Sequence, residues 1–197
     1  MNNQNTSLEF SHFPVMLNEV LKISLPSSKK KIIDCTFGGG GYSKAILNLS
    51  NATVQAIDRD KKASLIAKKF EIKFPKRFKF NRIKFSQLDT ISDEFVDVVI
   101  FDLGLSSIQL DDYERGFSFK SKKKLNMTMG LNEITALEVI NSFSETDLKL
   151  IIKILGNEQE ASKIVKNIIK FRNTKKIINT IDLVKIIEKS KKKKLFK

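Results

Sequence analysis

The chain has 197 residues, of which 41% are hydrophobic and 29% charged, a balance that suits a globular core with an elaboration and excludes a wholly disordered chain. The longest strictly apolar run, residues 98–101, is too short to cross a bilayer, and no secretory signal is visible. We therefore expect a cytoplasmic protein without a membrane anchor, and the single cysteine, Cys35, agrees with a reducing compartment. The net charge of +14 favours a polyanionic partner, with nucleic acid ahead of an anionic membrane surface.

Short β-branched runs alternate with helical segments in the first half of the chain, a pattern typical of parallel βαβ units. We therefore predict an α/β fold with a Rossmann-like core and a parallel sheet. The fourth strand is apolar apart from Asp97, so we expect it to be buried on both faces. The predicted strands are residues 31–34, 53–57, 78–83 and 95–101, and the predicted helices between them are residues 42–49 and 61–74.

The second half of the chain is predicted to be almost purely helical. Ser144 is expected to cap a helix that ends at Gly156, a second helix is predicted at residues 158–171, and Thr180 is expected to cap a last one. A long loop, residues 104–131, joins the two halves and is too apolar for simple disorder, so we expect it to be functional. The residues expected on the buried helix faces are Leu148, Ile151, Ile152 and Leu155, followed by Ile164, Val165, Ile168 and Ile169.

Four consecutive glycines, residues 38–41, follow the first predicted strand and open a helix. Glycines let the backbone turn sharply and let a ligand touch it, and the helix N-terminus behind them favours a carboxylate or a phosphate. Asp58 ends the second strand, where a carboxylate can accept hydrogen bonds from both hydroxyls of a ribose. The loop lacks the third glycine of the dinucleotide fingerprint and the lysine of an ATP-binding loop, so it leaves S-adenosylmethionine (AdoMet) and NAD open and disfavours ATP hydrolysis.

Asp102 begins the loop after the fourth strand, at the end of the sheet that borders the ligand crevice in open α/β folds. A polar acceptor at this place suits methylation of an amine. The exocyclic amine of cytosine is a poor nucleophile because its lone pair is delocalised into the ring, and an acceptor for its N–H helps it attack a sulfonium methyl group. The base must also leave any helical stack to reach that methyl group.

Seven stretches of the chain together form a recognisable pattern, at residues 12–17, 34–43, 56–60, 84–86, 101–107, 109–111 and 115–119. With this pattern the chain resembles one family, the bacterial 16S ribosomal RNA cytosine-N4 methyltransferases (RsmH/MraW). The resemblance implies AdoMet as the cofactor and a cytosine in the decoding region of the small ribosomal subunit as the substrate. It also implies an AdoMet-binding core at residues 1–110, an active-site and RNA loop at 111–131, and a helical inserted domain with a basic tail at 132–197.

The family's functional positions carry over to residues of this chain. Asp102 is our candidate for the proton acceptor that orients the target amine, in a direct transfer without a covalent intermediate or a metal. The positions implied to bind the cofactor are Gly40, Gly41, Tyr42, Asp58, Phe85, Asp102 and Gln109. The candidate RNA or substrate contacts are His12, Arg115, Phe117 and Phe119.

Two alternatives to these site assignments stay open. Arg115 could bind phosphate while Phe117 and Phe119 stack a base, or the same three residues could belong to a loop pinned by buried aromatic side chains. Phe85 could lie beside an adenine or simply in the core.

The chain departs from the family's usual pattern at several places. Tyr42 stands where the family has His, residues 125–129 lack one acid and one base of the family's motif, and Asn157 replaces the first residue of a Glu-Glu pair. Family members also continue beyond this length. We therefore expect an incomplete sheet whose fourth strand lies at an open edge, and self-association through that edge.

The sequence thus predicts AdoMet-dependent N4-methylation of a cytosine in 16S ribosomal RNA, with the small ribosomal subunit as partner. Two other functions stay open. One is a catalytically weak or inactive, basic RNA-binding remnant, and the other is an amino-methyltransferase that acts on another nucleic acid. Methyl transfer by this chain separates the first from our prediction, and a comparison of ribosomal RNA with DNA as substrate separates the second.

Overall fold

A computed structural model describes residues 14–24, 29–91, 95–132 and 134–191 of the chain. The chain divides into two compact units, Met1–Ile108 and Gln109–Lys197, each with a hydrophobic core of its own. The predicted loop at residues 111–131 belongs to the second unit, and the functions assigned to the predicted domains stay predictions. None of the helices in the described ranges has the length and apolar character that a membrane span requires.

The first unit is a four-stranded parallel sheet with helices between its strands. Its strands lie in the order β3-β2-β1-β4, and all three pairings are parallel, which confirms the predicted Rossmann-like α/β core. The sequence analysis did not predict the first helix. The elements in chain order are α1 (Leu17–Ser24), β1 (Lys31–Asp34), α2 (Gly41–Leu49), β2 (Thr53–Ile57), α3 (Lys61–Lys73), β3 (Phe78–Asn81), a 3-10 helix (Phe85–Thr90) and β4 (Val98–Ile100).

The two faces of this sheet are packed differently. One face carries Ile32 and Val54, which join side chains of α1, α2 and α3 in the larger hydrophobic core. The other face carries Ile33 and Ile57, which pack against side chains from the segment between β3 and β4 in a smaller cluster. The sheet is therefore packed more extensively on its helical side.

β4 is shorter and more exposed than we expected. It covers Val98–Ile100 rather than residues 95–101, and Val99 and Phe101 are 43% and 48% exposed, so the expectation of burial on both faces is wrong. Among the described residues β4 pairs with β1 alone. A parallel strand is buried only where elements pack on both of its faces. Val99 instead borders an open cavity of about 500 Å³, so its side of β4 is only partly covered. Self-association through this edge stays a prediction.

The second unit is helical, as predicted. α4 (Ser107–Leu110) begins at the end of the first unit and runs into the second. The buried core of the second unit centres on Leu125, Leu148, Val165, Ile168 and Ile177. The other elements are a 3-10 turn (Tyr113–Arg115), α5 (Ala136–Ser142), α6 (Glu145–Leu150) with a π-helical continuation (Ile151–Leu155), α7 (Ala161–Arg172) and α8 (Thr180–Ser190).

The ends of these helices test the predicted caps. The Ser144 hydroxyl accepts a hydrogen bond from the backbone N of Asp147 at 3.1 Å, so the predicted cap of α6 is confirmed. The predicted Thr180 cap is wrong by one residue, because Asn179 caps α8 by accepting from the backbone N of Asp182 at 2.9 Å.

The buried faces of these helices agree with those predicted from the sequence, except at the π-helical continuation of α6. Leu155 is 80% exposed rather than buried, because the π-helical turn adds a residue and rotates the end of the helix away from the core. Gly156 ends the helix as predicted. α7 begins at Ala161 rather than at residue 158, and it buries Ile164, Val165 and Ile168 as predicted, whereas Ile169 is half-buried.

The long predicted loop is held by hydrogen bonds within itself and to the helical part of the second unit. The Ser121 hydroxyl donates to the carbonyl of Tyr113 at 2.6 Å, and the backbone N of Leu125 donates to the carbonyl of Ile178 at 3.1 Å. Residues 104–131 also contain α4 and the 3-10 turn, so they are more regular than the sequence suggested.

Candidate cofactor site

The glycine loop lies between β1 and α2, at the carboxyl edge of the sheet. Gly40 has a left-handed backbone (φ 78°), and a Cβ there would lie 2.8 Å from the Phe37 ring, so a side chain does not fit. A Cβ on Gly41 would collide with Pro14. Around Gly39 the space is open, since a Cβ would meet only Ile108, at 3.8 Å. Packing within the protein therefore requires two of the glycines, and Gly39 leaves the backbone accessible to a ligand.

The beginning of α2 adds hydrogen-bond donors to this accessible backbone. The helix begins at Gly41, so its first N–H groups have no intrahelical acceptors and carry a partial positive charge. The N-cap, Gly40, has no side chain that could satisfy them. This end of the helix is therefore suited to an anionic group such as a carboxylate.

Asp58 follows β2 directly and reaches the glycine loop. Its Oδ2 accepts from the backbone N of Gly38 at 2.8 Å, and its Oδ1 accepts from the backbone N of Asp60 at 2.8 Å. Burial raises the pKa of Asp58, and the two hydrogen bonds act in the opposite direction. A carboxylate offers about four lone-pair sites, so Asp58 is held in place and can still accept hydrogen bonds from hydroxyl groups.

Asp34, the last residue of β1, is fully buried beneath the glycine loop. Its Oδ2 accepts from the Ser43 hydroxyl at 2.6 Å, and its Oδ1 accepts from the backbone N of Thr36 at 3.2 Å. Burial raises the pKa of Asp34 to about 6. One carboxylate thus holds both ends of the glycine loop, a role that the sequence analysis missed although Asp two residues before Thr is typical of such a turn.

Asp102 lies just beyond β4 and close to α2. Its backbone N donates to Oγ1 of Thr36 at 2.8 Å, and its Oδ2 lies 3.4 Å from the Tyr42 hydroxyl, which also donates to the carbonyl of Val15 at 2.5 Å. Burial and then the neighbouring Asp102 raise the pKa of Tyr42 to about 12. Tyr42 therefore stays protonated at neutral pH, whereas the exposed carboxylate of Asp102 can accept a proton or a hydrogen bond.

Phe85 begins the 3-10 helix that follows β3. It is 46% exposed, and its ring packs edge-on against Phe101 with 5.8 Å between the centroids. The alternative that Phe85 belongs to the core is therefore wrong. An exposed aromatic ring near the carboxyl edge of the sheet is able to stack on a planar base.

The remaining predicted residues lie outside the first unit or outside the described residues. Gln109 is the third residue of α4 and belongs to the second unit, and His12 falls outside the described ranges. In the second unit, Arg115 donates to the carbonyl of Thr128 at 2.9 Å and lies 5.7 Å from the centre of the Phe117 ring. Phe117 is half-buried and Phe119 is 50% exposed, so these aromatic side chains do not pin the loop by burial. The roles of all the predicted site residues stay predictions.

The described residues offer neither a reactive thiolate nor a metal-binding cluster. Burial raises the pKa of Cys35 to about 11, so its side chain is a neutral thiol at physiological pH. In the described part of the chain, no group of three or more His, Cys, Asp or Glu side chains is placed to hold a metal ion.

Comparison with known proteins identifies the family. Residues 9–196 match a family described as the MraW methylase family. The chain belongs to this family. Proteins called Ribosomal RNA small subunit methyltransferase H are 44% identical to it in Ehrlichia canis, 43% in Bartonella bacilliformis and 39% in Rickettsia canadensis.

The chain is shorter than these relatives. The three alignments cover 89%, 90% and 93% of this chain but 61%, 53% and 60% of those proteins, so the chain spans little more than half the length of the curated relatives it matches. A solved structure from Clostridium thermocellum, described as an rRNA-methylase, aligns with 22% sequence identity and a TM-score of 0.39. The alignment covers 45% of this chain and 49% of that protein's chain. That similarity is too low to support an inference.

Proposed function

We propose that this chain carries the AdoMet-binding and methyl-transfer site of an enzyme that methylates N4 of a cytosine in the decoding region of 16S ribosomal RNA. The observation that carries the proposal is the meeting of Asp58, Asp102 and an accessible glycine loop at one edge of a parallel sheet, in a chain of the MraW methylase family. The names of the relatives support ribosomal RNA as the substrate.

The residues present fit AdoMet. The donors at the start of α2 suit the carboxylate of its methionine part, and Gly39 leaves room beside them. Asp58 suits the two ribose hydroxyls, and the exposed ring of Phe85 suits the adenine. When bound, AdoMet supplies an electrophilic methyl group on a sulfonium centre.

Asp102 would prepare the target amine. Its exposed carboxylate would accept a hydrogen bond from the N4–H of cytosine. This bond would orient the nitrogen lone pair and give the amine proton an acceptor. Tyr42 keeps its proton, which it donates to the Val15 carbonyl, so the neighbouring Asp102 carboxylate is left as the acceptor for the target amine. The neutral, buried thiol of Cys35 is unsuited to attack on the base, which supports a direct transfer.

The charge of the chain supports an RNA partner. The net charge of +14 provides many cations for phosphate contacts, and exposed lysines lie along the described surface of the second unit. We therefore propose that the small ribosomal subunit, in the cytoplasm, is the natural partner.

Calorimetry with AdoMet and transfer of its tritiated methyl group to small-subunit particles test the proposal. We expect the chain to bind AdoMet, and Asp102→Asn to lower methyl transfer by about 100-fold or more, as for loss of a proton acceptor. Asp97→Asn is the matched control, because Asp97 accepts from the backbone N of Lys31 at the opposite edge of the sheet. AdoMet binding without transfer would favour the RNA-binding remnant, and transfer to DNA rather than ribosomal RNA would favour the other methyltransferase.

A further inference from the structure

The Thr36 side chain connects the glycine loop to the segment that carries Asp102. Its Oγ1 accepts the backbone N–H of Asp102 at 2.8 Å. The last sheet bond before this segment runs from the backbone N of Cys35 to the carbonyl of Ile100 at 2.9 Å. Residues 101–105 beyond it are all exposed, and a Cβ on Gly104 would meet nothing within 4 Å. The hydroxyl of Thr36 therefore holds the chain at the point where it leaves the packed sheet.

Thr36 is itself fixed by a buried group. Its backbone N donates to Oδ1 of Asp34 at 3.2 Å, and the other carboxylate oxygen accepts from the Ser43 hydroxyl at 2.6 Å. Asp34 is fully buried, so these bonds do not compete with bulk water. A connected set of hydrogen bonds thus runs from α2 through the end of β1 to the backbone of Asp102.

We propose that Thr36 is a positioning residue, whose hydroxyl, held through Asp34, fixes the backbone of Asp102 against the glycine loop. The distance between a methyl donor on that loop and the acceptor for the target amine would then be set by this hydroxyl. The catalytic consequence rests on the proposed function, whereas the hydrogen bond and its effect on the backbone of Asp102 do not.

Replacing the hydroxyl by a methyl group of the same shape tests the proposal. In Thr36→Val we expect the amide hydrogen of Asp102 to exchange with solvent about fivefold to tenfold faster, as measured by NMR, because one hydrogen bond is lost. We expect kcat for methyl transfer to fall by about tenfold, since misplaced catalytic groups lower the rate of the chemical step, with a change in KM for AdoMet of less than about threefold. Thr36→Ser retains the hydroxyl and should restore both the slow exchange and kcat.

Thr53→Val is the matched control, because Thr53 is an exposed threonine at the start of β2, and this variant should leave all three measurements unchanged. If Thr36→Val does not fold, Thr36→Ala serves as the variant without the hydroxyl. Unchanged exchange at Asp102 in a folded variant without the hydroxyl, or failure of Thr36→Ser to restore slow exchange, would overturn the proposal. Failure of the unaltered chain to bind AdoMet would instead reject the proposed function, and the exchange experiment would still decide on Thr36.

Discussion

Both units use one arginine to close the end of a helix. In the first unit Arg77 donates to the carbonyl of Leu47 at 2.9 Å at the end of α2, and in the second unit Arg172 donates to the carbonyl of Phe143 at 2.7 Å beyond α5. The units differ in their acids. Among the described residues, the buried acidic side chains are Asp34 and Asp60, both in the first unit.

This difference indicates that the polar side chains of the two units have different roles, structural in the second unit and ligand-binding in the first. In the second unit polar side chains complete backbone hydrogen bonds, as where the half-buried Asn141 donates to the carbonyl of Ile177 at 2.8 Å and accepts from its backbone N at 3.0 Å. In the first unit the buried carboxylate of Asp34 holds a loop beside Asp58 and Asp102, which retain lone pairs for a ligand. We therefore expect cofactor binding to depend on the first unit, and the second unit to contribute surface charge.

The largest expected effect is the destabilisation of the second unit by a substitution that leaves the first unit stable. Leu148 is 0% exposed in the core of the second unit, so Leu148→Ala should lower the free energy of unfolding of that unit by about 2–5 kcal/mol through the cavity it leaves. AdoMet binding, which we assign to the first unit, should survive. Urea unfolding followed by circular dichroism, with AdoMet calorimetry on the same samples, measures both.

Leu150→Ala is the control for this prediction. Leu150 lies in the same helix and is 62% exposed, so we expect a change of less than about 0.5 kcal/mol. Loss of AdoMet binding in Leu148→Ala at a urea concentration where only the second unit unfolds would show that the two units do not divide scaffold and chemistry in this way.

Much of the fold could be predicted because it follows from local patterns. β1 and β2 have the predicted bounds, and the buried residues of α7 follow the helical period. The errors fall where tertiary context decides. Val99 is exposed because it borders an open cavity, and Leu155 is exposed because the helix ends in a π-helical turn. Neither cause can be seen in a pattern of hydrophobic residues.

The site could be predicted in part for a similar reason. Asp58 and Asp102 are recognisable as candidates because they follow strands, and the carboxyl ends of parallel strands meet at one edge. The bond from Asp102 to Thr36 joins residues far apart in sequence, and its donor is a backbone group, so no motif of side chains indicates it. The contact between the Tyr42 hydroxyl and the Val15 carbonyl was missed for the same reason.

The buried acid of the first unit should make its stability depend on pH. The pKa of Asp34 is raised from 3.8 to about 6 in the folded chain, so the folded state holds a proton that the unfolded state releases earlier. Stability from this group is therefore present below about pH 4 and is lost as the pH rises to about 7, by about 3 kcal/mol at 1.36 kcal/mol per pKa unit. Asp34→Asn keeps an acceptor for Thr36 and a polar group beside Ser43 without this titration.

Urea unfolding of the unaltered chain and of Asp34→Asn between pH 4 and pH 7 measures this effect. The difference in free energy of unfolding should move in favour of the variant as the pH rises, and shared titrations of other acids cancel in that difference. A difference that stays constant over this range would show that the Asp34 pKa is the same in the folded and unfolded chains.

Asp58 tests the assignment of the cofactor to the first unit more directly. Asp58→Ala should weaken AdoMet binding by about 1–3 kcal/mol, because charge-assisted hydrogen bonds to the ribose are lost and Gly38 loses an acceptor. Calorimetry gives the affinity, and Asp97→Ala removes an exposed aspartate at the other edge of the sheet as the control. An unchanged affinity in Asp58→Ala would remove Asp58 from the site.

The smallest expected effect concerns the surface charge of the second unit. RNA binding to the unaltered chain should weaken steeply with salt, by a log–log slope of about 0.7 for each single-strand phosphate that is neutralised. If the second unit supplies these cations, Lys122→Gln should lower the slope by about 0.7, because Lys122 is exposed on the loop before α5. Lys68→Gln, at an exposed position of α3 in the first unit, should leave the slope unchanged. Filter-binding titrations from low to high salt measure the slopes.

Equal effects of the two substitutions would show that RNA binding is not a property of the second unit. A flat salt response of the unaltered chain would exclude phosphate contacts as the reason for its charge.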